Sequence, residues 1–232
     1  VSGDGRLGLL GRPRLHLRSV DSTNARAKDL AAAGAVHGTL VTATEQTAGR
    51  GRQGRSWAAP PGRTLIASVV LRDFGALLPL AAAAAVADVA GNDALVKWPN
   101  DVLVDGRKVA GILAEGRPQE GWAVLGIGLN VAVRVEDLPE ELRERAGSLG
   151  LEPADVEPTL QRLLRALERW LTAEDEALLD ALRARDALAG RSISWAAGSG
   201  VARGIAPDGG LVVQLADGST TTLDAGEVHL SR

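Results

Sequence analysis

Gly49-Arg50-Gly51-Arg52-Gln53-Gly54-Arg55 is the stretch from which the rest of this chain is read. Its three glycines allow backbone conformations and close approaches that side chains would block. Its three arginines each offer a planar fork of donors matched to phosphate or carboxylate. Between Glu45 and Asp73 no acidic residue occurs, while Arg50, Arg52, Arg55, Arg63 and Arg72 all fall there. In a chain of formal net charge -3 this is a local cationic island, and its expected client is a small anion.

The stretch also fits G-x-G-x-x-G at Gly49, Gly51 and Gly54. A dinucleotide site needs a helix opening directly afterwards, with the pyrophosphate on its N-terminus. The continuation here is Ser56-Trp57-Ala58-Ala59-Pro60-Pro61-Gly62, and two prolines stop any such helix. No Gly-Lys-Ser/Thr follows, so a Walker-type phosphate loop is excluded as well.

At 232 residues the chain can bury one substantial core and a small second domain. Hydrophobic and charged contents of 45% and 24% are those of a soluble globular protein. Zero cysteines exclude disulfides, thiolate metal sites and thiol catalysis, and fit a reducing cytoplasm. His16, His37 and His229 lack ligand spacing and are expected to be structural or surface residues. The longest apolar run, Ala76 to Ala87, contains Pro79 and falls short of the roughly 20 residues a membrane span needs. No secretory signal is evident at the N-terminus.

Residues 1–14, rich in Gly and Arg, read as a loose leader. Leu15, Leu17 and Val20 alternate with polar residues as a short strand. Asp21-Ser22-Thr23-Asn24 is a run of helix-capping side chains ahead of a helix from Ala25 to Ala33, closed by Gly34. A cap needs one such residue; four in a row leave hydroxyls and an amide free for a ligand. Thr39 to Thr44 is a strand delivering Glu45 and Gln46 to the mouth of the glycine-arginine loop. Thr64 to Leu71 is a strand buried on both faces, and Ala76 to Ala90 an alanine-rich helix closed by Gly91. Lys97-Trp98-Pro99-Asn100-Asp101 places a strand end, a proline turn and an Asn-Asp pair together. A hairpin follows around Asp105-Gly106, with Lys108 opening its second strand beside Val109, Ala110, Ile112 and Leu113. In the strand Trp122 to Val131, Gly126 and Gly128 allow a ligand or backbone to approach closely. A long helical region runs from Asp155 to about Leu188 on a leucine stripe that includes Trp170. Short strands at Ile193–Trp195, Leu211–Leu215, Thr220–Leu223 and Val228–Leu230, with turns at Pro207-Asp208-Gly209-Gly210 and Asp217-Gly218, form a small β domain, most simply a five-stranded SH3-like barrel.

Taken together and in this order, these motifs resemble one family, the biotin protein ligases. The resemblance rests on Asp21-Ser22-Thr23-Asn24, Glu45-Gln46 through Ser56-Trp57, Lys97 to Asp101, Lys108-Val109-Ala110-Gly111-Ile112-Leu113, and Gly126-Ile127-Gly128-Leu129-Asn130-Val131. It implies an α+β fold: a catalytic domain like that of class II aminoacyl-tRNA synthetases, a mixed sheet flanked by helices, over residues 1–187, and an SH3-like barrel over 188–232. It implies that biotin and ATP form biotinyl-AMP with release of pyrophosphate. Biotin then passes to a lysine of a biotin carboxyl carrier domain of a biotin-dependent carboxylase. Carried over residue by residue, Lys108 and Arg52 are the catalytic cations. Ser22, Thr23, Asn24, Gln46, Arg50, Gly51, Arg52, Lys108 and Gly111 bind biotin. Arg52, Arg55, Trp57, Asn100, Asp101, Lys108 and Asn130 bind ATP and the adenylate, with Trp57 stacking on adenine. Mg²⁺ is expected mainly on the ATP phosphates, its protein ligands unassigned. Only about 20 residues precede Asp21, too few for a DNA-reading three-helix unit, so the resemblance is to the monofunctional type, with no specific DNA partner. Such a protein is expected in the cytoplasm, off the membrane, as a monomer or weak homodimer.

Two other functions compete. A lipoate ligase shares the fold and the adenylation chemistry but not the Gly-Arg loop. A nucleic-acid-binding module would grip a backbone with arginines 50 to 72; against it stand the acidic net charge and an aromatic set with one Phe and no Tyr.

Overall fold

The computed structural model of the protein describes residues 9–224 and 226–230. Residues 1–8, the greater part of the expected leader, lie outside the described residues. From Leu10 onward that expectation fails. Leu10 is buried, its amide donates to Glu168 Oε1 at 2.9 Å, and Gly11 N donates to Gly38 O at 2.9 Å.

The larger, N-terminal part is built on one seven-stranded sheet. Its strands are β1 (Arg14–Val20), β2 (Leu40–Gln46), β3 (Thr64–Leu71), β4 (Leu95–Lys97), β5 (Asp101–Val104), β6 (Arg107–Arg117) and β7 (Trp122–Asn130). They lie in the order β1-β2-β3-β7-β6-β5-β4. Only β1 and β2 run parallel; the other neighbours pair antiparallel. The parallel pair requires a crossover, which α1 (Thr23–Ala32) supplies. The β5–β6 turn falls at Asp105-Gly106, where φ is 52° and 72°, the two positive values a type I′ hairpin turn demands. All eight residues of β3 are buried, because helices cover both of its faces.

On one face, Ala27 and Ala31 of α1 pack against Val41, Val70, Trp122 and Val124. The other face carries α2 (Leu78–Ala90), α4 (Val156–Leu171) and α5 (Asp175–Ala184); a single short turn of helix, α3 (Glu140–Arg143), lies between β7 and α4. Alanines 81 to 85 are at most 4% exposed, so α2 sits directly against sheet and α4 with no long side chain between. Leu160, Leu163, Leu164 and Leu167 make the facing stripe of α4, each worth about 1.5–3 kcal/mol on full burial.

The single helical region expected over 155–188 is two helices. At the end of α4 Thr172 turns its hydroxyl back onto Glu168 O at 3.0 Å and Arg169 O at 3.2 Å. The leucine stripe resumes at Leu178 in α5, which is why spacing alone hides the break. After α5 the chain runs extended beside β4, with Val96 N on Arg185 O at 2.7 Å and Ala187 N on Val96 O at 3.0 Å. Trp170 lies half-buried at the core edge, as the stripe predicts, and its Nε1 donates to Asp88 Oδ2 at 2.6 Å.

The C-terminal part is a five-stranded antiparallel sheet of β8 (Ser192–Trp195), β9 (Gly198–Ile205), β10 (Leu211–Gln214), β11 (Thr220–Leu223) and β12 (His229–Leu230), in the order β11-β10-β9-β8-β12. β9 is not among the expected strands; Gly198, Gly200 and Gly204 leave its sequence without a regular apolar alternation. Ile193, Ala202, Ile205, Leu211, Val213 and Val228 belong to the same packed cluster as α2, α4 and the central strands. Trp98 Nε1 donates to Gly209 O at 2.9 Å, tying the proline turn of the first sheet to a hairpin of the second. The architecture is α+β: a mixed sheet flanked by helices, then a small antiparallel β domain. Among the described residues no helix is long and apolar enough to cross a membrane.

Candidate active site

The expected site residues come from six separated segments, and the fold brings all of them to one cavity of about 650 Å³. Its wall carries Ser22, Thr23, Asn24, Gln46, Arg50, Gly51, Arg52, Arg55, Trp57, Asn100, Asp101, Lys108, Gly111 and Asn130. The cavity lies on the sheet at β3, β6 and β7, beside the N-terminus of α1.

At that N-terminus one residue of the polar run does the capping. Ser22 Oγ accepts from Ala25 N at 3.4 Å, and Thr23 and Asn24 are left to other partners. Thr23 N donates to Gln46 Oε1 at 2.7 Å. Asn24 Nδ2 donates to Glu115 Oε2 at 2.9 Å, and its Oδ1 lies 2.6 Å from Ser68 Oγ. Burial alone would raise the Glu115 carboxyl; hydrogen bonds from Lys28 and Asn24 outweigh it and hold the group below its ordinary value.

The glycine-arginine loop closes on itself. Gly51 N donates to Arg55 O at 2.7 Å and Trp57 N to Gly49 O at 3.0 Å, with Gln53 at φ 55° at the tip. Two of its arginines are tied across the cavity. Arg52 Nη1 donates to Asn100 Oδ1 at 3.0 Å, and Arg55 Nη1 to Glu227 Oε1 at 2.6 Å. Burial lowers the pKa of Arg52, partly offset by the charge of Asp101, but a guanidinium stays charged in proteins.

Opposite the loop, Lys108 Nζ sits 2.6 Å from Asp101 Oδ1 and 5.7 Å from the Trp57 ring centroid. The ammonium is thereby steered by a carboxylate on the neighbouring strand. Lys97 lines the same cavity; burial pushes its amine down, with Asp101 pulling the other way. Three cations therefore face Asp101, an arrangement that leaves net positive charge for an anionic ligand. Asn130 Nδ2 donates to Gly147 O at 2.8 Å, and its buried Oδ1 has no hydrogen-bond partner among the described residues.

Three expectations are refined by the geometry. First, the glycines of β6 and β7 line the cavity and also make room for side chains. A Cβ at Gly128 would stand 2.5 Å from the Trp57 ring, one at Gly111 3.1 Å from it, and one at Gly126 would overlap the Asn24 amide. Second, the cationic island is not one spatial unit. Arg72 donates to Ala31 O at 2.6 Å and Ala35 O at 2.7 Å, and Arg63 to Ala132 O at 3.1 Å, so both brace backbone away from the cavity. Third, His229 is exposed, as expected, and also borders the cavity from β12. Sequence reasoning also passed over Ser68, Lys97, Glu115 and Glu227. Lys97 had a signal, its place in Lys97-Trp98-Pro99-Asn100-Asp101; the other three are single polar residues with no local pattern. Among the described residues no cluster of three or more His, Cys, Asp or Glu side chains could hold a metal ion.

A family model described as the biotin/lipoate A/B protein ligase family matches residues 16–131. A second, the biotin protein ligase C terminal domain, matches 197–231. The biotin--[acetyl-CoA-carboxylase] ligase of Mycobacterium tuberculosis is 38% identical over 236 residues, covering 90% of this chain and 86% of its own length. The chain belongs to the biotin protein ligases. Among solved structures of that family, the biotin protein ligase of Aquifex aeolicus in complex with biotin and ATP matches with a TM-score of 0.77 at 27% identity, over 95% of this chain and 99% of that one. The bifunctional ligase/repressor BirA of Bacillus subtilis is 36% identical over 69% of this chain but only 54% of its own length. The chain thus spans about half the length of the Bacillus relatives that it matches. A lipoate ligase is not favoured, since the matching C-terminal model is that of biotin protein ligases. A backbone-gripping module is disfavoured by geometry, because Arg50, Arg52 and Arg55 converge on a concave cavity.

Proposed function

We propose that the chain activates biotin with ATP to biotinyl-5'-AMP and transfers the biotinyl group to a lysine of a carboxylase carrier domain. The observation that carries this reading is the convergence of Lys108, Arg52, Asn100 and Asp101 on one cavity with Ser22, Thr23, Asn24 and Gln46. One end of that cavity is neutral and rich in hydrogen-bonding groups, suited to a ureido ring. The other is cationic, suited to a carboxylate meeting a phosphate. Residues 1–187 would bind biotin and ATP, and residues 188–232 would close the cavity from the side through Glu227, His229 and Leu230.

In the first step a carboxylate oxygen of biotin attacks the α-phosphorus and pyrophosphate leaves. Two anions must be brought together, so oriented positive charge is the main requirement. Lys108 would contact both the biotin carboxylate and the α-phosphate, being already aimed by Asp101. Arg52 would take the phosphoryl group while Asn100 fixes its guanidinium. Arg50 and Gly51 would border biotin together with Gly111. Arg55 and Asn130 would face the nucleotide, Asn130 through its unpartnered carbonyl oxygen, and Trp57 would offer its ring to adenine. In the second step a lysine amine attacks the acyl carbon and AMP leaves. Mg²⁺ would arrive with ATP, held mainly by phosphate oxygens.

Incubation with ATP, Mg²⁺ and either biotin or lipoate, following pyrophosphate, tests the reading. Release is expected with biotin; release with lipoate alone, or with neither, overturns it.

A further inference from the structure

Behind Thr23 and Asn24 runs a chain of hydrogen bonds that ends on a charge. Lys28 Nζ, one turn further along α1, reaches Glu115 Oε1 at 2.6 Å. Glu115 Oε2 accepts from Asn24 Nδ2 at 2.9 Å. Asn24 Oδ1 is 2.6 Å from Ser68 Oγ, Ser68 Oγ is 2.8 Å from Thr23 Oγ1, and Thr23 Oγ1 is 3.0 Å from Gln46 Oε1. Ser68 is fully buried, and Thr23 and Asn24 are at most 5% exposed. Water cannot easily break the order.

Proton counting and contact length together set the direction. An ionised carboxylate only accepts, so Asn24 must turn its Nδ2 to Glu115 and its Oδ1 to Ser68. An amide oxygen also only accepts, so the single Ser68 proton lies on the 2.6 Å contact with Asn24. The proton on the 2.8 Å contact then belongs to Thr23. Gln46 Oε1 accepts from Thr23 N at 2.7 Å and competes at 3.0 Å for the Thr23 hydroxyl proton, which is assigned to the shorter contact with Ser68 at 2.8 Å. Thr23 Oγ1 is left with lone pairs, and Gln46 with its Nε2 protons. Asn24 packs directly on Gly126, where a Cβ would stand 2.1 Å from its Oδ1.

We propose that Glu115, paired with Lys28, is a positioning residue that sets the proton order Thr23 to Ser68 to Asn24 and so makes Thr23 Oγ1 an acceptor for an N–H of the ligand's ureido ring. This rests on the biotin reading above. The charged groups facing Glu115 are Lys28 from α1 and Arg50 from the glycine-arginine loop, and both favour its ionised form. A protonated Glu115 could donate. Asn24 would then lose its preferred orientation, the Thr23 proton would turn toward the cavity, and a ligand N–H would meet a donor.

The test compares Lys28→Met and Lys28→Arg with the unaltered protein, measuring KM for biotin and kcat for pyrophosphate release from about pH 5 to about pH 8. Without Lys28, burial still raises Glu115 and only the Asn24 hydrogen bond and the Arg50 charge oppose it, so Glu115 takes up its proton at a higher pH than in the unaltered protein. The expected result for Lys28→Met is a KM that rises about tenfold toward acid relative to the unaltered protein, with kcat within about twofold. Lys28→Arg should follow the unaltered profile. Because His229 lines the same cavity, the profile is read as the difference between variant and unaltered protein. A difference that stays flat, or a loss confined to kcat, overturns the proposal. Should Lys28→Met lose its circular dichroism signal, Glu115→Gln decides: KM raised at every pH without acid dependence supports the relay, and an unchanged KM overturns it. An unaltered protein that releases no pyrophosphate with biotin overturns the functional reading itself, a result distinct from a flat Lys28→Met profile in an active enzyme.

Discussion

Arg55 Nη1 lies 2.6 Å from Glu227 Oε1, a contact that joins residues 172 positions apart. The last arginine of the glycine-rich loop is thereby held by a carboxylate just ahead of β12. Arg55 is about half exposed, so the pair is worth no more than about 1 kcal/mol to overall stability. Its effect is local.

Glu227→Ala should therefore leave thermal unfolding nearly unchanged and speed amide exchange across residues 49–55. A stable biotinyl-adenylate analogue should slow that exchange again by giving the arginines another anion. Equal exchange in the variant and the unaltered protein would show that Glu227 does not tether the loop.

Lys108→Gln removes the ammonium steered by Asp101 and leaves that carboxylate facing the α-phosphate. Adenylation should fall by roughly two to three powers of ten, as for loss of one oriented electrostatic partner. Pyrophosphate release near the unaltered rate would remove Lys108 from the reacting centre.

Arg52→Gly deletes the fork that reaches Asn100 and adds backbone freedom to the loop. A charge-assisted contact of about 1.5–3 kcal/mol is lost, so biotinyl-AMP should leave about ten to a hundred and fifty times faster. Lys108 remains to oppose the developing charge, and adenylation continues. The escaped mixed anhydride should acylate bystander lysines, measured by biotin blotting of albumin. A variant that makes adenylate but labels albumin no more than the unaltered protein does would show that Arg52 is not the latch.

Gly128→Ala places a methyl group 2.5 Å from the Trp57 ring, against a strand that cannot retreat. The indole must shift. Affinity for ATP should drop by about tenfold while biotin binding changes less, and the tryptophan emission should move. Isothermal titration with each ligand separates the two effects, and an equal loss for both would place Trp57 over biotin instead.

Asp186 is a buried carboxyl whose pKa is raised by burial, with backbone bonds from Leu188 and Ala189 opposing. A raised value means that its stabilising contribution is present at low pH and is lost as pH rises through the folded-state pKa. Its Oδ2 has no hydrogen-bond partner among the described residues, while Oδ1 accepts from Leu188 N at 2.8 Å. Asp186→Asn keeps that acceptor and removes the charge. It should raise Tm at neutral pH, by about 2–4 °C per kcal/mol gained, and the gain should shrink on acidification. A gain of the same size at about pH 4 would refute the assignment.

The parts of this molecule legible in the sequence are those with short-range causes. Asp105-Gly106 announces its turn because few residues tolerate two positive φ values in a row. β3 announces itself because a strand covered on both faces has no polar alternation. The motifs that line the cavity are legible because their residues are neighbours in the chain. Contacts between distant residues leave no such trace. Ser68 is a lone hydroxyl in an apolar strand, and only the fold shows that Thr23 and Asn24 stand over it. Glu227 is an ordinary acidic residue until β12 carries it to Arg55. Arg63 and Arg72 err in the opposite sense: they follow the loop in sequence, yet β3 carries them away from it to bond backbone carbonyls.

The bond from Trp98 Nε1 to Gly209 O has its own consequence. Gly209 has φ 87° and lies where a Cβ would strike Leu77, so the hairpin tip is wedged against the start of α2. The same turn that carries Asn100 and Asp101 into the cavity is thus anchored to the small sheet that supplies Glu227 and His229. The two walls share one footing. Swapping the small sheet for that of a relative would not exchange a passive module; it would reset the spacing between the Asn-Asp pair and the opposite wall, and a chimera would have to bring its own Trp98–Gly209 junction with it.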